Sequence, residues 1–117
     1  MNNPYGIALR QVSKNAWKTL EPIEFNYKGF DYRVPVGFFT DLASVPKFLW
    51  WLFPPHGKYT RASIIHDYML NSELVSRKDA DHCFREQLEL ARVSYLTRQS
   101  MYIAVRANSK VKNYLNK

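Results

Sequence analysis

Cysteine is almost absent from this sequence, because Cys83 is the only one in 117 residues. A single cysteine excludes an internal disulfide and a zinc site built from several thiolates. Long apolar runs are absent too: the longest, residues 48–53, is far shorter than the roughly 20 residues that a membrane-spanning helix needs. The first residues contain no basic segment followed by an apolar one. The sequence therefore predicts neither a transmembrane segment nor a secretory signal.

Carboxylates are missing from the last part of the chain. All ten acidic residues precede Leu90, whereas every charged residue from Arg92 to Lys117 is a cation, and the net charge is +7. Such a segment could attract the phosphate groups of lipid or nucleic acid. No specific nucleic-acid motif accompanies it, and the solvated face of a C-terminal helix is the simpler explanation.

The spacing of apolar residues predicts strands in the first part of the chain. Apolar and polar residues alternate over 23–27 and 30–34, on either side of Lys28 and Gly29. This pattern around a short turn predicts a β-hairpin. Hydrophobic residues make up 46% of the chain and aromatic residues 15%, which is typical of a packed globule. A shorter strand is expected over residues 5–12, and residues 17–20 are expected to form a strand or a loop.

Helical spacing replaces the alternation after Pro46. Helices are predicted over residues 47–53, 60–71, 77–91 and from 94 or 95 to 114. In the last helix the expected core stripe is Leu96, Ile103 and Ala107, broadened by Met101, Val105 and Val111. The predicted fold class is α+β, a single domain over residues 1–117 in which 1–36 is mainly β and 46–115 mainly α. A small N-terminal antiparallel sheet would pack on about three C-terminal helices.

The segment 60–71 contains the most informative polar pair, His66 followed by Asp67. At about 100° per residue, His66 shares a helix face with apolar side chains, while Asp67 lies at the edge of that face. A buried imidazole needs hydrogen-bond partners. The plainer interpretation is a core histidine bonded to a backbone carbonyl, beside a solvated aspartate.

Asp81 lies along the apolar line of the next predicted helix. A buried carboxylate is costly unless it is paired, so Asp81 requires a partner. A local hydroxyl or an arginine could serve, but two antiparallel helices joined by a short loop would bring His66 close to Asp81. Asp81 would then orient the imidazole, and the second ring nitrogen would be free to act as a general base toward water.

Oxygen ligands for a hard cation are also available in the sequence. Asp41 and Asp67, together with the Leu42 carbonyl, could hold a calcium ion. The ion would polarise a carbonyl group and stabilise the oxyanion of a tetrahedral intermediate, so the assembly predicts an ester hydrolase. Trp50 and Trp51 are candidates for a core, a lid or an interface with lipid headgroups.

Two resemblances accompany these residues. The segment from about Val34 to Val105 resembles the phage-associated family called domain of unknown function 1353. The pattern consists of Val34-Pro-Val-Gly-Phe-Phe-Thr-Asp-Leu-Ala-Ser-Val-Pro46, Tyr59-Thr-Arg-Ala-Ser63, His66-Asp67-Tyr68 and Asp81-x-x-Phe84. The resemblance implies a phage or prophage origin and residence in the host cytoplasm or in the virion. It implies no activity.

The second resemblance is local. The pair His66–Asp67 with Asp81 on the following helix is similar to the His-Asp helix of small prokaryotic phospholipase A₂ enzymes, in which an upstream Asp-Leu pair binds calcium. This resemblance implies that His66 is the base and Asp81 its orienting partner. It also implies that Asp41, Leu42 and Asp67 bind calcium, and that a phospholipid or a membrane surface is the partner.

Three functions are therefore compatible with the sequence. The first is a calcium-dependent, lipase-like or esterase-like hydrolase. The second is a non-catalytic virion component or host-interaction protein, bound to other phage proteins, that keeps the histidine–aspartate pair for stability. The third is a His-Asp metal phosphohydrolase, which would require His56 in the site.

Overall fold

The computed structural model describes residues 9–13, 16–40 and 59–115. The predicted hairpin is confirmed: β3 (Ile23–Tyr27) pairs antiparallel with β4 (Phe30–Val34). Lys28 and Gly29 form its turn with φ values of 51° and 83°. Positive φ at both positions gives the turn a twist that matches the flanking strands. The alternation of buried and exposed residues along β3 directs one face of the hairpin into the core.

A second sheet contains three antiparallel strands, with β2 (Ala16–Thr19) between β1 (Leu9–Ser13) and β5 (Phe39–Thr40). Thr19 joins this sheet to the chain that leaves the hairpin. Its fully buried hydroxyl donates to the Pro35 carbonyl at 2.8 Å and accepts from the Phe38 amide at 2.9 Å. These bonds hold β5 beside β2. The sequence pattern did not predict β5.

Three helices follow: α1 (Tyr59–Ser72), α2 (Arg77–Leu90) and α3 (Tyr95–Leu115). Their positions agree with three of the four predicted helices, and the α+β fold class is confirmed. The fourth predicted helix, over residues 47–53, lies outside the described residues. Along one helix, successive side chains contact residues that come progressively earlier in the next helix. Each helix therefore runs antiparallel to the one before it.

The ends of α2 follow from its sequence. Ser76 is its N-cap, and the Ser76 hydroxyl accepts from the Asp79 amide at 3.1 Å. At the other end Arg92 adopts φ 62°, and the Val93 amide donates to the Leu88 carbonyl at 3.0 Å. This six-residue closure is a Schellman motif, which turns the chain sharply into α3.

The apolar core lies on both sides of the α1–α2 layer. On one side the hairpin packs on the two helices through the cluster Ile23, Phe25, Tyr27, Val34, Ile64, Ile65, Met69, Ala80 and Cys83. On the other side α3 packs on them through Ala62, Phe84, Leu88, Val93, Met101 and Val105. Residues at the boundary of the two clusters are therefore covered by the sheet and by α3 together.

The predicted core stripe of α3 is wrong in its main residues and confirmed for two of those expected to broaden it. Leu96 and Ile103 are 79% and 63% exposed, and Ala107 is exposed too, whereas Met101 and Val105 are each 1% exposed. Val111, at 56%, is also exposed. The buried face passes through Met101, Val105 and Ser109. Apolar side chains occupy two opposite faces of this helix, and the sequence pattern placed the centre of the stripe on the solvent-facing one.

Candidate functional site

His66 lies in the middle of α1, on the face predicted from helical spacing. Its side chain is 2% exposed, and Ile65 and Met69 beside it belong to the cluster under the hairpin. Ala62, one turn earlier, belongs to the cluster under α3. The imidazole therefore lies at the boundary of the two apolar clusters, where the protein itself must supply its hydrogen-bond partners.

Asp81 supplies one partner, which confirms the predicted contact. Oδ1 of this fully buried carboxylate lies 2.5 Å from Nε2 of His66. A carboxylate can only accept, so in the neutral imidazole Nε2 carries the hydrogen and Nδ1 carries the lone pair. The plainer interpretation, a histidine bonded to a backbone carbonyl, is wrong at Nε2. The roles of the two residues in catalysis remain a prediction.

Arg106 of α3 is the third member of the network. Its Nη1 donates to Oδ2 of Asp81 at 2.9 Å, and its side chain is 20% exposed. The guanidinium supplies a positive charge that compensates the buried carboxylate. In the sequence Arg106 is one of several basic residues of the last helix, and nothing singles it out as the partner of Asp81. The signal that could have identified it is the requirement of Asp81 for a counter-charge.

The remaining ring nitrogen of His66 has no hydrogen-bond partner within the described part of the chain. Nδ1 is shielded from solvent, and the ring is packed against Phe84 with the two centroids 5.0 Å apart. A buried acceptor without a partner is costly, of the order of 1–3 kcal/mol. Among the described residues, Nδ1 is the buried atom of the histidine–aspartate–arginine network that has no hydrogen-bond partner.

A thiol close to this network is chemically inert. Cys83 is fully buried on α2, and burial raises the pKa of its thiol to about 12. The thiolate is the nucleophilic form of cysteine, so a raised pKa keeps the group unreactive near neutral pH. Cys83 is therefore a core residue, and the nucleophile of any reaction at this site must come from elsewhere.

Arg61 fixes α1 against both the hairpin and α2. Its guanidinium donates to the Gln87 side chain and, at 2.6 Å, to the Glu24 carbonyl. Burial lowers the pKa of this guanidinium below its ordinary value, but an arginine remains a cation under all physiological conditions. The contacts set the rotation of α1, and with it the direction of the His66 ring.

The candidate metal ligands are only partly described. Asp67 lies on α1, half-buried, and accepts a hydrogen bond from Nδ2 of Asn71 at 3.2 Å. Asp41 and Leu42 lie outside the described residues, as do Trp50, Trp51 and His56. Within the described ranges, no three histidine, cysteine or acidic residues are grouped as a metal site. The calcium site therefore remains a prediction.

A match to a family model shows the protein family of this chain. The model described as "Protein of unknown function (DUF1353)" matches residues 17–105, about three quarters of the sequence. The chain belongs to the DUF1353 family. The match contains the hairpin, α1, α2 and α3 as far as Val105, and thus both His66 and Asp81. No curated protein and no solved structure matches the chain.

Membership of the DUF1353 family carries no assigned activity, and the match ends at Val105, just before Arg106. Among the residues that the structure describes, no helix is long and apolar enough to cross a membrane. The chemical evidence for a function therefore comes from the network itself.

Proposed function

We propose that this chain is a phage or prophage hydrolase of ester bonds, in which His66 is the general base and Asp81 its orienting partner. The observation that supports the proposal most directly is the bonding of His66. Nε2 is engaged by Asp81, and Nδ1 keeps a lone pair with no partner among the described residues. A histidine held at one nitrogen and free at the other has the arrangement of a general base.

The chemistry that follows is attack of water on the ester carbonyl. Nδ1 of His66 takes a proton from the water as the new carbon–oxygen bond forms, and later returns it to the departing alcohol. Asp81 accepts from Nε2–H throughout and stabilises the imidazolium that forms. Arg106 holds the carboxylate in line with the ring, because it donates to the second oxygen.

Calcium is the proposed cofactor, with Asp67, Asp41 and the Leu42 carbonyl as its ligands. Of this set the structure describes Asp67, which stands beside His66 in the sequence and is half-buried. Carboxylate and carbonyl oxygens are the donors that calcium prefers. The bound ion would supply positive charge for the oxyanion of the tetrahedral intermediate. The proposed substrate class is a lipid-like ester, and Trp50 and Trp51 would contact the lipid surface.

A second candidate is favoured by the shielding of Nδ1. In the described geometry neither water nor an ester can reach this nitrogen, so access requires rearrangement of the groups that cover it. If no such rearrangement occurs, the network is a buried polar cross-link between α1, α2 and α3. The protein would then be a non-catalytic virion component or host-interaction factor whose exposed surface does the binding.

Ester hydrolysis in the presence of calcium, and after its removal with a chelator, tests the proposal. With a short-chain nitrophenyl ester and with phospholipid vesicles, His66→Gln should lower kcat by a factor of about 10² to 10⁴, the usual contribution of a general base. Asp81→Asn should lower kcat through loss of ring orientation. Asp31→Asn, which removes an exposed carboxylate from the hairpin, is the matched control and should keep full activity.

Calcium binding is measured separately by calorimetry. Asp67→Asn should weaken calcium affinity, whereas His66→Gln should leave it nearly intact. The proposal fails if the unaltered protein cleaves no ester or phospholipid with calcium present. If the substitutions at His66 and Asp81 then change only the melting temperature, the structural alternative accounts for the network.

A further inference from the structure

Side chains along the junction of α2 and α3, here called the α2–α3 groove, place cationic groups close to the buried network. Tyr102 of α3 forms its centre: the hydroxyl lies 3.5 Å from Nε2 of His82, and the Arg85 guanidinium lies 5.4 Å from the ring centroid. Arg106 follows Tyr102 by one helical turn, on the same side of α3. All four side chains are intermediate in exposure, so they are partly withdrawn from water without being sealed.

Within the described part of the chain, Arg106 has a counter-charge and Arg85 has none. Arg106 is matched by Asp81, and both oxygens of that carboxylate are occupied. Within the described ranges, no carboxylate forms an ion pair with Arg85 or His82. The nearest acids along α2, Glu86 and Glu89, are exposed to solvent. A partly desolvated guanidinium without a counter-charge is unfavourable, and its contact with Tyr102 offsets about 1 kcal/mol.

The donors available in the groove define the ligand that would complete it. Arginine has five N–H donors in a planar fork, and Arg106 uses only Nη1 among its described contacts. Two guanidinium groups can donate to several oxygens of a tetrahedral anion, and the bonded pair of Tyr102 and His82 can add one donor, either the hydroxyl or the free ring nitrogen. Guanidinium groups bind phosphate in a bidentate manner, which a lysine cannot reproduce.

We propose that the α2–α3 groove is a binding site for a phosphate group, held by Arg85, Arg106, His82 and Tyr102. The juxtaposition that carries the proposal is one uncompensated arginine stacked on Tyr102 beside a second arginine that reaches Asp81. The site does not depend on ester hydrolysis. Arg106 belongs to the groove and contacts Asp81, and Asp81 contacts His66. An anion bound in the groove would therefore be linked to the proposed general base through Arg106 and Asp81.

Titration with inorganic phosphate at constant ionic strength tests the site, followed by NMR of the arginine side chains. We expect saturable shifts at Arg85 and Arg106. Arg85→Gln should weaken the affinity at least tenfold, and Tyr102→Phe, which keeps the ring beneath Arg85, should weaken it several-fold. Lys110→Gln is the matched control: it removes one positive charge from an exposed position of α3 and should change the affinity less than twofold.

Two results would overturn the proposal. The first is an absence of saturable phosphate shifts in the unaltered protein. The second is equal weakening by Lys110→Gln and Arg85→Gln, which would mean that phosphate responds to net charge alone. Folding of each variant is checked by circular dichroism, and if Arg85→Gln does not fold, Tyr102→Phe decides. His66→Gln should keep phosphate affinity within twofold while losing hydrolysis, so the failure of one proposal leaves the other testable.

Vesicles identify the source of the phosphate group. If it belongs to a lipid headgroup, the unaltered protein should sediment with phosphatidylglycerol vesicles and Arg85→Gln should remain in solution. If it belongs to a small soluble molecule, the protein should bind inorganic phosphate and leave the vesicles unbound. Either pattern supports the groove. Sedimentation that Arg85→Gln and Lys110→Gln reduce equally would contradict it.

Discussion

Asp81 is the buried charge that links the three helices in the interior of this protein. It is fully buried, and each of its oxygens has one partner, from a different helix. A carboxylate withdrawn from water loses several kcal/mol of hydration, which its partners must return. Because His66 and Arg106 come from α1 and α3, the charge of Asp81 links the three helices more specifically than apolar packing can.

The stability of the fold should therefore be sensitive to Asp81. Asp81→Ala leaves His66 and Arg106 without their acceptor, and we expect it to lower the free energy of unfolding by about 3–5 kcal/mol. Asp81→Asn should cost less, because the amide oxygen still accepts one hydrogen bond. Urea denaturation measures both values.

The exposed pair of Arg33 and Glu24 on the hairpin provides the comparison. Arg33→Met should change the free energy of unfolding by no more than about 1 kcal/mol, the usual range for a surface ion pair. A value for Asp81→Ala as small as the value for Arg33→Met would show that the network contributes little to stability.

The contact between His66 and Asp81 was predictable because both residues interrupt apolar stripes on neighbouring helices. Arg106 was not, because its partner lies 25 positions earlier and the basic residues around it look alike in sequence. A buried carboxylate requires a counter-charge, but the sequence pattern does not identify the residue that supplies it. That choice depends on the rotation of α3, a tertiary property.

At the scale of elements, the start of α2 is joined to the hairpin by Asp79. Its Oδ1 accepts from the Tyr27 hydroxyl at 2.9 Å and from Nζ of Lys28 at 3.1 Å. The bond from Lys28, followed by the bond from Tyr27, lowers the pKa of the Asp79 carboxyl below its ordinary value. Burial and the same carboxylate raise the pKa of the Tyr27 phenol. The helix N-cap and the hairpin turn thus share one acid.

A pH dependence with a definite sign follows for Asp79. Because its pKa is lower in the folded protein than in the unfolded chain, its contribution is complete above the unfolded value, near pH 4. It is lost as the pH falls through the lower folded value. Asp79→Asn should reduce the free energy of unfolding by about 1 kcal/mol at pH 6, and the difference from the unaltered protein should shrink below about pH 4.

Urea titrations at several pH values measure this difference. Glu89→Gln, on the same helix but exposed, is the control and should show no comparable convergence with the unaltered protein at low pH. A difference for Asp79→Asn that stays constant down to pH 2 would mean that the carboxylate is not stabilised in the folded state.

Elements with a strong local signal agree with the sequence pattern, and elements set by tertiary contacts do not. The β3–β4 hairpin has both alternation and a two-residue turn, so its strands appear at the predicted residues. β5 has two residues, too few for any periodicity, and depends on the bonds from Thr19. On α3 both faces are apolar, and the face that carries Leu96 turns outward because Arg106 must reach Asp81.

At the scale of the whole molecule, the three helices and the hairpin form one connected core with α1 and α2 at its centre. α3 closes the far side, and the last described residue that it buries is Ser109, at 1% exposure. Beyond it, Lys110 and Val111 are exposed. The helix continues to Leu115.

This arrangement predicts that the chain tolerates truncation after Ser109. Deleting residues 110–117 removes three lysines and, among the described side chains, only exposed ones. The melting temperature should change by no more than a few degrees, since loosely held ends contribute little to stability. Deleting residues 104–117 is the matched comparison: it removes Val105 from the core and Arg106 from Asp81, leaving a buried carboxylate with one partner. That variant should lose cooperative unfolding or soluble expression. If the shorter deletion has the same effect, the end of α3 contacts the core or a second molecule, and the packed region extends beyond Ser109.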